Sequence, residues 1–294
     1  MRGEKRLRGS IAAVERRLRA VYGQPRHLNK RDPLAELVFI LLSTQTRERE
    51  YQRTFAALWT KYRSWDRVRR ADPRELEALI RFGGFARRKV ALLQHLLERV
   101  RADHGSTSLR WLRRRSTDDA LAYLTSLPGV GLKTARCVLM YALERPVLAV
   151  DTHVWRIAKR LGWVDGGKHP DDRRSGQLEA AIPPALRYSL HVTMVAHGRL
   201  VCRARPACDR CALNDLCPRI GLDAESKLRA ASPAGARVRR VAADEMEVFL
   251  RDGSDGLRLR RRRAIGRQEP QPVPKGPAPD ELHPDRSSQH LRQE

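Results

Sequence analysis

Apolar positions along this chain recur with the helical period from about residue 10 to residue 219. Ile11, Val14, Leu18 and Val21 share one face, and Ser10 stands where a capping hydroxyl would start that helix. Asp32-Pro33 places an N-cap before a proline at the first helical position, and Leu34, Leu37, Val38, Leu41 and Leu42 follow as a stripe. A third helix carries Phe55, Leu58 and Trp59. Asp72-Pro73 repeats the start signal ahead of Leu76, Leu79 and Ile80. Gly83-Gly84 interrupts the pattern, and a longer helix runs through Val90, Leu93, Leu97 and Val100. Thr117 is placed to cap a helix holding Leu121 and Leu124, which stops at Pro128-Gly129. The next carries Cys137, Val138, Met140 and Tyr141. Asp151 is placed to cap another, with Val154, Ile157, Ala158 and Leu161 on one side, and Pro183-Pro184 opens a last long helix towards Leu200. No useful stretch alternates with period two, so the expected fold class is all-α. The character changes after Cys217. Residues 234–265 read equally well as a small β-hairpin about Asp252-Gly253 or as a basic extension, and residues 268–294, rich in proline and polar side chains, read as disordered.

Charge narrows the function classes. Of 294 residues, 59 are Lys or Arg and 34 Asp or Glu, a net charge of +25 that calls for a polyanionic partner, nucleic acid before anionic lipid. The apolar run from Cys137 to Val150 is broken by Glu144, Arg145 and Pro146 and is too short to span a bilayer. The start, MRGEKRLRGS, does not read as a signal peptide, because no long apolar core follows it. A cytoplasmic protein with reduced cysteines is the expectation.

Three segments carry chemistry. LPGVGLKTA (Leu127 to Ala135) sets two glycines in a turn between helices. The unpaired amides and positive dipole end of the second helix make a phosphate site that ignores base sequence, although an ordinary helix–helix turn has the same residues. Lys133 follows at the mouth of that helix. A dipole of that sign should lower its pKa and free an amine able to attack carbon and form a Schiff base; a phosphate contact or a solvated lysine is the bland reading. Asp151, in AVDTHVWRI, can cap its helix and also present a carboxylate that takes a proton or stabilises a cationic sugar. Cys202, Cys208, Cys211 and Cys217 are spaced C-x5-C-x2-C-x5-C, the mark of a metal or cluster site; the single close pair leans towards [4Fe–4S] over zinc without deciding it. Arg199, Arg203, Arg205 and Arg210 surround them as a platform for phosphates, and Cys137 reads as a core residue.

Taken in order, LLSTQT, LPGVGLKTA, VDTHVWR and HGRLVCRARPACDRCALNDLCP resemble the endonuclease III branch of the helix-hairpin-helix DNA glycosylases, over roughly residues 10–219. The resemblance implies a two-domain α fold. Residues 27–144 would form a six-helix bundle with the hairpin, and residues 1–26 with 145–219 a second domain carrying a [4Fe–4S] cluster. The basic extension (220–267) and the tail (268–294) would follow. Duplex DNA with a damaged base or abasic site would bind in the cleft between the domains of a monomer, in the cytoplasm at the nucleoid. Lys133 would be the nucleophile and Asp151 the essential aspartate. Gln45 would fill the gap left by a flipped nucleotide and Phe85 would be an apolar wedge. His153, the hairpin residues Leu127, Gly129, Val130 and Gly131, and Arg203 and Arg205 would meet the DNA, with room for a monovalent cation at the hairpin. The four cysteines would be the cluster ligands.

Some features depart from that branch. The first cysteine gap is five residues rather than six, the wedge loop reads Phe85-Ala86-Arg87-Arg88, Thr125 stands in place of a pocket-side glutamate, and the C-terminal extension is additional. The expected activity is excision of damaged bases, oxidised pyrimidines first, with cleavage of abasic sites by β-elimination. The alternatives are the same scaffold with an alkylated, methylated or mismatched base as substrate, and a non-catalytic DNA-binding iron–sulfur protein. An RNA-binding module is disfavoured by an aromatic content of 5% and the absence of a stacking motif.

Overall fold

Both Asp-Pro pairs start helices as their chemistry requires. Asp32 Oδ1 accepts from the amides of Leu34 and Ala35, both at 3.1 Å, and Asp72 Oδ1 from those of Arg74 at 2.7 Å and Glu75 at 3.1 Å. The computed structural model describes residues 2–23, 29–167 and 169–223, and the hairpin and tail expected after residue 233 lie outside that range. The helices are α1 (Arg2–Tyr22), α2 (Pro33–Ser43), α3 (Glu48–Tyr62), α4 (Trp65–Arg70), α5 (Pro73–Ile80), α6 (Ala86–His104), α7 (Thr117–Ser126), α8 (Leu132–Tyr141), α9 (Thr152–Arg160), α10 (Asp172–Ala181) and α11 (Pro184–Leu200). Short 3₁₀ turns occupy Arg81–Gly83, Arg110–Arg114 and Cys208–Arg210. Among the described residues there is no strand, and no helix is long and apolar enough to cross a membrane.

Some expected boundaries move. Helix α1 begins at Arg2. Ser10 therefore lies inside it, and its hydroxyl accepts from Trp163 Nε1 at 3.2 Å instead of capping. Ser116, not Thr117, caps α7 through the amide of Asp119 at 3.0 Å. Helices α4 and α10 were not legible. The first has only six residues, and the second buries only Ser175 and Leu178, too little for a stripe.

The buried apolar side chains form two clusters. One gathers α2 to α8, from Leu34 to Ala149, and the other joins α1 to α9, α10, α11 and the cysteine segment. Residues 147–150 run between them. Val147 and Ala149 enter the first cluster, while Leu148 and Val150 enter the second. Such alternation is what extended backbone produces, with successive side chains on opposite sides. It anchors Asp151, the next residue, against both cores.

Candidate active site and cysteine cavity

Lys133 and Asp151 line the same cleft. About 130 Å³ in volume, it is bordered also by Asn29, Ser43, Glu48, Tyr51, Cys137, Tyr141, His191 and Arg199. Each side contributes differently. The turn before α8 needs Gly129, whose φ is +73° and whose missing Cβ would stand 2.6 Å from Leu92 Cδ1. At Gly131 a Cβ would meet nothing, so only an approach from outside the protein gives that glycine a steric purpose. Leu127 and Val130 are buried in the first cluster, and the Val130 amide donates to Leu127 O at 3.2 Å. Their side chains therefore hold the hairpin to the core; the exposed surface of the turn comes from its backbone and glycines.

Lys133 is exposed to the cleft from the first turn of α8. The dipole expectation for its pKa is reversed. Cys137 on the next turn, Asp151 and Glu36 favour the ammonium and outweigh the opposing effect of burial, so the amine is held above its ordinary value; burial pushes the Cys137 thiol itself up, which leaves Asp151 as the lasting charge at neutral pH. The lysine's own exposure makes the opposing effect of burial smaller still. Asp151 does both jobs its position suggested. Oδ1 caps α9, accepting from His153 N at 2.9 Å and Val154 N at 2.8 Å. Burial pushes its carboxyl up, but His191, His153, the Val154 amide and Lys133 together hold it below the ordinary value. Burial drives both imidazoles towards the neutral form, so at neutral pH the amide and the ammonium are the lasting supports.

Three neighbours of Lys133 escaped the sequence reading in whole or part. Cys137 is in the core as expected, yet it also borders the cleft beside the lysine, as the i, i+4 spacing on α8 allows. Glu36 is fully buried, receives hydrogen bonds from Asn29 Nδ2 and from Lys30 N at 2.6 Å, and is pushed up to about 7 by burial. A glutamate inside the stripe AELVFILL was the available signal. His191, buried on α11, bonds through Nδ1 to Ala149 O at 2.7 Å. Thr125, by contrast, is exposed on α7, bonds to Leu121 O and Ala122 O, and does not line the cleft.

The other expected contact residues lie outside the cleft lining. Gln45 and Phe85 are exposed and both left-handed, each with φ of 52°. His153 is wedged against Gly198, where a Cβ would come within 2.6 Å of Nδ1, and that nitrogen accepts from Arg156 at 2.9 Å. Arg203 and Arg205 are exposed, and Arg203 is tied back to Arg199 O at 2.8 Å.

All four cysteines of the C-terminal segment line a second cavity, together with Arg160 and Arg219. Arg160 Nη1 donates to Cys202 Sγ at 3.0 Å and to Arg203 O at 2.7 Å, and Nη2 donates to Ala204 O at 2.9 Å. The amide of Leu213 points at Cys211 Sγ, 3.4 Å away. Burial, with the neighbouring thiols, pushes Cys211 up to about 12, and Cys208 and Cys217 also rise. Crowded thiols of this kind become thiolates when a cationic centre binds them. Among the described residues, no three His, Cys, Asp or Glu side chains converge tightly enough for a single metal ion.

Comparison with known proteins agrees with this geometry. Residues 38–183 match the family described as HhH-GPD superfamily base excision DNA repair protein. An Arabidopsis thaliana protein named as a candidate DNA glycosylase is 37% identical over 191 residues, which is 63% of this chain and 64% of the relative. An endonuclease III of Thermotoga maritima is 32% identical over 194 residues, 66% of this chain and 86% of the relative. A solved structure of a non-covalent endonuclease III–DNA complex is 29% identical, with a TM-score of 0.60 over 78% of this chain and 99% of that one.

Proposed function

We propose, for a chain that belongs to the HhH-GPD superfamily of base excision DNA repair proteins, that it is a DNA glycosylase with an associated lyase step, acting through Lys133 and Asp151. The observation that carries this reading is the shared cleft, with an exposed lysine on one wall and an ionised aspartate on the other. A binding protein needs neither group. The target nucleotide leaves the stack, because its glycosidic carbon is out of reach inside the duplex. Gln45 and Phe85 take up the vacated space.

The protein favours the ammonium of Lys133, so the first step is transfer of its proton to water in the cleft. The neutral amine then attacks C1′, and the base departs with the glycosidic electron pair and takes up a proton. Asp151, held ionised, suits stabilisation of the positive charge that develops on the sugar better than proton uptake. The nitrogen then loses a proton and its lone pair forms C1′=N as the C1′–O4′ bond breaks and O4′ takes up a proton, which opens the ring to a Schiff base. Removal of a C2′ proton then expels the 3′ phosphate oxygen and breaks the strand. Oxidised pyrimidines are the proposed substrates. The amide, hydroxyl, carboxylate and guanidinium groups of Asn29, Ser43, Glu48 and Arg199 support a base bearing extra polar atoms.

The two apolar clusters are read as the two domains, and the four cysteines as ligands of a [4Fe–4S] cluster. The fit rests on the donor set, four thiols lining one cavity with the Arg160 guanidinium beside them. The cluster would act as a structural tie for the segment bearing Arg203 and Arg205.

The deciding experiment is borohydride trapping on duplex DNA with an abasic site, using wild type, Lys133→Ala and Asp151→Asn. A covalent adduct in wild type that vanishes in Lys133→Ala supports the reading. Intact binding without an adduct in wild type would leave a monofunctional glycosylase or a pure binder.

A further inference from the structure

Outside the cleft, one half-buried contact joins the two loops that carry Gln45 and Phe85. Lys89, half-buried on the first turns of α6, directs its ammonium at three acceptors. These are Leu42 O at 2.9 Å, Gly83 O at 2.9 Å and the Thr46 hydroxyl. The Thr46 hydroxyl in turn donates to Gly83 O at 2.6 Å. An ammonium has three donors, and all three are used. Leu42 O belongs to the last turn of α2, where carbonyls lack helical partners and a cation is favoured. Thr46 follows Gln45 directly, and Gly83 stands two residues before Phe85. Lys89 is itself one turn beyond Phe85, its amide donating to Phe85 O at 2.9 Å.

Both loops hold strained backbone. Gln45 and Phe85 are non-glycine residues in the left-handed region, a conformation that persists only where the surroundings over-determine it. The ammonium supplies that constraint to both loops at once, and nothing else among the described residues bonds the two loops except Thr46 to Gly83.

We propose that Lys89 is a positioning residue that makes the two loops enter DNA as one unit, so that gap filling by Gln45 and wedging by Phe85 are a single coupled event. This rests on the functional reading above. Without the ammonium each loop could relax out of its strained conformation alone, and each side chain would contribute independently.

A double-variant cycle tests this. Affinity for duplex DNA bearing a stable abasic-site analogue is measured for Gln45→Ala, Phe85→Ala and the pair, in the Lys89 background and in Lys89→Met. With Lys89 present, the pair should lose little more than the worse single variant, a coupling of about tenfold in Kd. In Lys89→Met the two losses should multiply. Thr46→Val, which breaks the two links made by the hydroxyl without removing the ammonium, should weaken the coupling in the same direction and guards against a misfolded Lys89→Met, as checked by thermal melting. Multiplying losses in the Lys89 background, or coupling in both Lys89→Met and Thr46→Val as large as in wild type, would overturn the proposal. No binding by wild type to the abasic duplex would instead defeat the functional reading itself. A purely structural role for Lys89 would lower the melting temperature but leave the coupling between Gln45 and Phe85 unchanged.

Discussion

Arg199 Nη1 donates to Glu48 Oε2 at 3.1 Å, joining the end of α11 to the start of α3 beside the cleft. One helix packs in the second apolar cluster and the other in the first. Burial pushes the Glu48 carboxyl up, and Arg199 is the main influence bringing it back down. Replacing Arg199 with alanine leaves that carboxylate alone. Because Arg199 is 41% exposed, solvent screens the pair, and the loss should be only on the order of 1 kcal/mol. It should grow as pH rises above the ordinary glutamate range, because only ionised Glu48 misses the guanidinium. Melting curves of wild type and Arg199→Ala at about pH 5 and pH 8 test this; equal losses at both would refute the pairing.

Asp151 allows capping and chemistry to be separated. Asparagine also caps helices well, so Asp151→Asn should melt near wild type while single-turnover excision falls by roughly 10²- to 10⁴-fold. Alanine removes both roles and should add a stability loss of about 1 kcal/mol. If Asp151→Asn excised at the wild-type rate, the carboxylate would be a cap and nothing more.

Glu36 makes stability depend on pH in an unusual direction for a carboxyl. Its ordinary value of 4.5 is raised to about 7 in the fold. Between those values the unfolded chain has lost the proton and the folded one keeps it, so the native state binds more protons and stability falls as pH rises. Above about 7 the penalty levels off. Glu36→Gln imitates the protonated form, and wild type should lose about 3 kcal/mol relative to it across that window. Denaturant titrations over the same range would show the trend, and a flat difference would contradict it.

Arg160 is the buried brace of the cysteine cavity. Its guanidinium satisfies Cys202 Sγ and two backbone carbonyls. Arg160→Met keeps much of the bulk and removes every donor. The cluster reading expects purified wild type to be brown, with about four irons per chain. The variant should hold less iron and lose it faster to a chelator, with a stability loss of about 3 kcal/mol from the unpaired acceptors. One zinc and no iron in wild type would sink the cluster.

Much of this protein was legible without coordinates because the deciding interactions are local. Asp32, Asp72 and Asp151 bond to amides two and three residues ahead, so their capping roles can be read from spacing alone. The same holds for the glycine turn, since Gly129 adopts a backbone conformation that its own residue type announces. The all-α architecture follows from the 3.6-residue period.

Tertiary packing decided what surrounds those signals. The helix-dipole argument predicted a lowered Lys133 pKa; Cys137, Asp151 and Glu36, brought together from α8, the α9 cap and α2, reverse it. Charge interactions across a cleft depend on separations in space that sequence spacing does not encode. The Lys89 link is similar, because an exposed-looking lysine in ARRK gains meaning only when Leu42, Thr46 and Gly83 fold against it. Local hydrogen bonds and periodicity are written along the chain, whereas burial and long-range charge are properties of the closed fold.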